Sequence, residues 1–145
     1  MALLSSLCCF GQNNNVLTIA PPEKVTAKIG APAQVKLSLE LRTGYHCNSN
    51  KPADDYLIPL KLTWTSLESP EVIYPPPQTE KYSFSETPLS VYTGDFELVT
   101  KFKVPASAMP GQFMATGKLR YQACTDRMCL PPKTLDVTIP IDLVK

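Results

Sequence analysis

The chemistry of this chain is concentrated in "YQACTDRMCLPPK" (121–133), where Cys124 and Cys129 stand with four residues between them. Such a pair can staple a fold, bind a metal or exchange electrons reversibly with other thiols. Extending the strand alternation that precedes it puts Cys124 on the outward face, and Cys129 at the start of the return toward the next strand. Directly opposed residues of a hairpin have Cα atoms about 4.5–5.5 Å apart, inside the roughly 4.4–6.8 Å that a disulfide needs. A bond between them is sterically easy, yet closing so short a loop removes only about 2 kcal/mol of unfolded-state entropy. A staple meant for stability would join distant strands across two sheets. An exposed short-loop disulfide is the kind that thiolates attack, so redox use is favoured over a structural staple. The metal reading would gather His46, Cys47, Cys124 and Cys129 into a Cys3His set, but the spacing matches no compact zinc motif.

Other chemistries find little support. His46 is the one histidine of the chain, no serine near it carries a nucleophile motif, and no glycine-rich phosphate loop occurs, so neither a hydrolytic triad nor a nucleotide cofactor is expected. A formal net charge of +1 gives no electrostatic case for nucleic acid. The opening "MALLSSLCCFGQNNN" has a short apolar run and small residues, Cys9 and Gly11, at the −3 and −1 positions of a cut before Gln12. Residues 1–11 are therefore expected to be a secretion signal, with a buried first strand or a loose tail as the alternative. The mature domain, 12–145, then keeps Cys47, Cys124 and Cys129 in an oxidising, periplasmic or extracellular compartment.

The elements that must position the cysteines are strands. In "QVKLSLELR", Val35, Leu37, Leu39 and Leu41 alternate with polar residues, and in "PLKLTWTS" Leu60, Leu62 and Trp64 do the same. "DFELVTKFKV" lines up Phe96, Leu98, Phe102 and Val104; "QFMATGKLRYQA" lines up Phe113, Ala115, Leu119 and Tyr121. "LDVTIPIDL" closes the series with Leu135, Val137, Ile139, Ile141 and Leu143. Each reads as a half-buried strand. Shorter strands are expected at Val16–Ile19, Val25–Ile29, Val72–Tyr74 and Leu89–Tyr92. Seven to nine strands, no sustained 3.6 period and fifteen prolines predict a single-domain, all-β, immunoglobulin-like antiparallel sandwich. Pro140 places the last strand at a sheet edge. Gly44–Tyr56 and Pro75–Pro88 read as long irregular loops.

Tyr121, Gln122, Cys124, Cys129, Pro131 and Pro132 together resemble the hairpin of the amino-terminal periplasmic domain of the thiol:disulfide interchange protein DsbD. "GYHCNSNKPADDYLIPLKLTW" and "KYSFSETPLSVYTGDFELVTKFKVP" resemble preceding segments of the same family, so that the similarity runs from about Val16 to Val144. The resemblance implies an immunoglobulin-like fold whose hairpin cysteines carry electrons to thioredoxin-like periplasmic thiol proteins. It implies that Cys129 forms the mixed disulfide and Cys124 resolves it. It also implies a cap loop, here Thr79–Pro88, with Tyr82 and Phe84 as the aromatic shields. Tyr45, His46 and Cys47 fall in the segment that borders the site in that family. No membrane or thioredoxin-like domain lies within these residues, so a separate membrane electron donor of DsbD type is expected.

Overall fold

The computed structural model describes residues 15–145; the expected signal segment, with Cys8 and Cys9, lies outside them. The strands run in the order β1 (Leu17–Ile19), β2 (Val25–Lys28), β3 (Pro32–Leu41), β4 (His46–Asn48), β5 (Lys61–Trp64) and β6 (Glu68–Ile73). They continue with β7 (Gln78–Glu80), β8 (Leu89–Thr93), β9 (Asp95–Lys103), β10 (Gly111–Tyr121), β11 (Ala123–Cys124) and β12 (Lys133–Val144). No helix occurs among the described residues.

Two four-stranded sheets, β1-β3-β9-β6 and β2-β12-β10-β5, form the sandwich. The alternation explains it. Val35, Leu37, Leu39 and Leu41 of β3, Leu98 and Phe102 of β9, Ala115, Leu119 and Tyr121 of β10, and Val137, Ile139 and Ile141 of β12 are all buried in one apolar core. Their neighbours along each strand are mostly exposed. Burying such side chains contributes about 1.5–3 kcal/mol each, so the core needs no covalent help. Thr100 occupies the one polar inward position of β9, and it is used: Trp64 Nε1 donates to its Oγ1 at 2.9 Å, tying the two sheets together. Gly117 sits opposite Trp64, where a Cβ would come within 2.7 Å of the Thr63 carbonyl oxygen. Only glycine allows that approach.

The last strand corrects one expectation. β12 lies inside its sheet, between β10 and β2, not at an edge. The parallel ladder with β2 runs from Ile141↔Val25 to Val144↔Lys28, so on that side pairing begins one residue after Pro140. The strand is interior as a whole and edge-like where the proline falls.

A third sheet, β11-β4-β8-β7, sits at one end of the sandwich. The two stretches read as irregular supply two of its strands, β4 and β7. All three β4 residues are buried, so they carry no wet–dry alternation to read. β10 passes into β11 and carries the cysteine pair into this small sheet.

Candidate functional site

The site is built on the hairpin that leaves β10 through β11 and returns into β12. Its rungs are ordinary backbone chemistry. Leu130 N donates to Ala123 O at 2.8 Å and Thr125 N to Met128 O at 2.8 Å, leaving Asp126 and Arg127 as the turn. Thr125 Oγ1 accepts from both Arg127 N and Met128 N at 3.2 Å, which fixes the turn from inside. Between these rungs Cys124 and Cys129 face each other as an isolated antiparallel bridge, and they are joined as a disulfide with Cα atoms 3.9 Å apart, closer than hairpin pairing predicts. The pairing expected from hairpin adjacency is the one present, and Cys47 is the free cysteine among the described residues.

The two sulfurs have unequal surroundings. Cys124 is 0% exposed, whereas Cys129 is half-buried and followed by the half-buried Leu130 and two exposed prolines. This alters the expectation for Cys124. The alternation holds, because Ala123 joins the core while Cys124 does not, but the outward face is covered.

β4 lies against this part of the hairpin, and the segment before β8 packs on β4. β4 pairs with β11 so that His46 lies opposite Cys124, and Cys47 opposite Ala123. Side chains of paired residues share a face. His46 therefore stands beside Cys124, while Cys47 points into the core with Tyr92, Tyr121 and Ala123. Tyr82 stacks on the His46 ring at 3.9 Å between centroids, inclined by 11°. Phe84 follows at 5.7 Å from Tyr82, and both rings pack against the small apolar cluster of Leu57, Leu89 and Val91. Ser83 Oγ donates to Asp126 O at 2.9 Å, linking this segment directly to the hairpin turn. Ser85 N bonds to Tyr82 O at 3.2 Å, closing a turn that presents the two rings together. The expected cap residues thus lie over the hairpin end of the molecule, brought there by the β7–β8 connection.

Beside the hairpin a cavity of about 390 Å³ is lined by Arg42, Tyr45, His46, Tyr82, Thr93 and Asp126. Tyr45 lies on its wall and packs against the main core.

Burial sets the protonation of the site. It pushes the Cys47 thiol up to about 12, so Cys47 stays protonated at neutral pH. Desolvation lowers His46 to about 4, leaving its imidazole neutral. Tyr82 is raised by burial and then by the nearby Glu80 carboxylate. The His46 Nε2 atom is buried with no hydrogen-bond partner among the described residues, as is Asn48 Oδ1.

The proposed metal set is not brought together. Cys47 faces away from His46, the other two cysteines are bonded to each other, and no group of three or more metal-binding side chains occurs among the described residues. One residue quoted from the hairpin carries a role that spacing did not reveal. Gln122 Oε1 accepts from Asn48 Nδ2 at 3.0 Å and from Ile58 N at 3.1 Å, and its Nε2 donates to Leu130 O at 3.4 Å. It fastens the return arm, just after Cys129, to the loop between β4 and β5. A lone glutamine between two apolar strand positions was the available signal.

The family model described as the N-terminal domain of the thiol:disulfide interchange protein DsbD matches residues 16–140. Among solved structures, the chain is similar to the N-terminal periplasmic domain of ScsB from Proteus mirabilis. The identity is 14%, with 87% of this chain and 44% of that one covered, at a TM-score of 0.56. It is also similar to the reduced N-terminal domain of DsbD from Neisseria meningitidis, at 17% identity over 79% of this chain and 82% of that one, with a TM-score of 0.49. The chain therefore spans under half the length of the ScsB chain it matches, and at these identities the first likeness speaks to the fold alone. No curated protein gives a significant match.

Proposed function

This chain belongs to the family of N-terminal domains of the thiol:disulfide interchange protein DsbD, and from that premise we propose that it is a thiol–disulfide exchange domain. It passes reducing equivalents through Cys124 and Cys129 to partner thiol proteins. The observation that carries the reading is the asymmetry of the disulfide: Cys124 is fully buried, and Cys129 is half-buried at the hairpin's return.

In the reduced protein the Cys129 thiolate attacks a partner's disulfide and forms a mixed disulfide. Cys124, held across the hairpin, then displaces the partner's sulfur and regenerates the Cys124–Cys129 bond. The two cysteine sulfurs lose two electrons and the partner's disulfide gains them. Tyr82 and Phe84 shield the pair from small thiols until a partner displaces the cap, and Ser83 on Asp126 is the contact that must give way. The partners are thioredoxin-like thiol proteins, and reduction comes from a membrane donor of DsbD type. A secretion signal over residues 1–11 would deliver the domain to the periplasm, where both exist.

The test is the reduction potential of the pair, measured by equilibration with a glutathione or dithiothreitol redox buffer. Exchange requires a potential well above about −300 mV, the region below which structural disulfides lie. A value below that would make the bond a hairpin staple and the domain a binding module.

A further inference from the structure

Four features meet at one side chain. His46 is the register partner of Cys124 across the β4–β11 ladder, so their Cβ atoms leave the sheet on the same face, about 4.5–5.5 Å apart. The imidazole is only 3% exposed, and its Nε2 has no hydrogen-bond partner among the described residues. Tyr82 lies flat against the ring and fixes its plane. Cys124 is itself completely buried, so a thiol at that position has no bulk water to receive its proton.

Buried polar atoms without a partner are rare enough to need a cause, and a redox role is one. In the oxidised protein a disulfide sulfur offers the imidazole no proton. Reduction changes this by placing an S–H directly across the ladder.

We propose that His46 is the general base for the resolving cysteine, taking the proton of the Cys124 thiol as the mixed disulfide on Cys129 is broken. The proposal rests on the exchange reading above. The Cys124 S–H proton moves to the imidazole, giving an imidazolium. The Cys124 thiolate attacks Cys129 Sγ, the Cys124–Cys129 bond forms, and the bond from Cys129 to the partner's sulfur breaks. The partner leaves as a thiolate, and the imidazolium returns its proton to that sulfur or to water as the cap reopens. Burial keeps the imidazole neutral at pH 7, hence in the accepting form before the step. The thiolate formed beside it then stabilises the imidazolium and offsets that burial. Other titratable or charged groups around the ring are Tyr82 and Glu80 from the cap, Arg42 and Tyr45 from the approach to β4, and Asp126 from the hairpin turn. Cys47 is on the opposite face, and Thr93, the β8 partner of His46, does not titrate. Asp126 is exposed on the turn.

The resolving step can be isolated with Ellman's reagent as the partner. The full chain, with Cys8 and Cys9 changed to serine and Cys47 to alanine, is reduced and mixed with one equivalent of reagent. The first thionitrobenzoate released reports attack by Cys129, and the second reports its displacement by Cys124. His46→Phe keeps a flat ring under Tyr82 and His46→Gln does not. His46→Phe should leave the first release unchanged, and both should slow the second by about 100-fold or more at pH 7. In both, the second rate should rise tenfold per pH unit between pH 6 and 9, where the parent's dependence is shallower.

A second release in both variants with the parent's rate or pH dependence would overturn the role of His46 and leave exchange intact. Slowing in His46→Gln alone would mean packing, and would overturn it as well. A parent that gives only one release would overturn the exchange reading, and the role of His46 with it.

Discussion

Reducing the Cys124–Cys129 bond should cost the folded domain little. The bond links residues five apart in sequence, and the entropy removed from the unfolded chain by so small a loop corresponds to about 2 kcal/mol. Nothing else in the hairpin depends on the bond. The Leu130–Ala123 and Thr125–Met128 rungs at 2.8 Å, and the Thr125 hydroxyl that closes the turn, are independent of it. Gln122 holds the return arm from outside. The apolar core between the two large sheets does not include either sulfur. Urea unfolding followed by circular dichroism, with and without a phosphine reductant, measures the difference. With a slope of about 2 kcal/mol per molar urea, the midpoint should fall by about 1 M and the transition should stay cooperative. A loss above about 4 kcal/mol, or a broad non-cooperative transition after reduction, would refute the reasoning and make the bond structural.

Two further outcomes follow from the same geometry. Changing Tyr82 and Phe84 together to alanine should speed reduction of the disulfide by glutathione about tenfold or more while leaving the circular-dichroism spectrum unchanged, because both rings pack on a small satellite cluster and not on the main core; an unchanged rate would place the shield elsewhere. Stability should also fall on acidification through His46. The unfolded imidazole takes a proton below about 6.5, but the folded one only below about 4. Between those values the unfolded state holds more protons, so this contribution is complete above pH 6.5 and is lost as pH falls toward 4, by at most about 3 kcal/mol. Urea midpoints across that range should drop more steeply in the parent than in His46→Phe, and parallel curves would contradict the assignment.

Much of the sandwich was legible because β3, β5, β9, β10 and β12 each have one wet face, and wet–dry alternation is what a sequence displays. In the small sheet, β8 and the extension into β11 were legible, but β4 was not, for the converse reason. His46, Cys47 and Asn48 are all buried, since one face of β4 meets the core and the other meets the cap, and a strand dry on both sides has no alternation. Cys124 is similar: its direction followed from the pattern, but its burial did not, because β4, the strand paired with it, comes from a distant part of the sequence. Pro140 misled because a proline reports on one ladder position, not on a whole strand. The stacking of Tyr82 on His46 and the bracing by Gln122 are contacts between distant segments, and no local spacing encodes them.

The central claim is that the two cysteines divide the work, with Cys129 meeting the partner and Cys124 resolving. Trapping tests it most directly, using chains in which Cys8 and Cys9 are serine and Cys47 is alanine. Cys124→Ser leaves Cys129 without a resolving thiol, so its mixed disulfide with a periplasmic thioredoxin-like protein should persist and appear as a shifted band on a non-reducing gel. Cys129→Ser leaves only the fully buried Cys124, which should trap almost none. Equal trapping by the two variants, or trapping through Cys124 alone, would contradict the account.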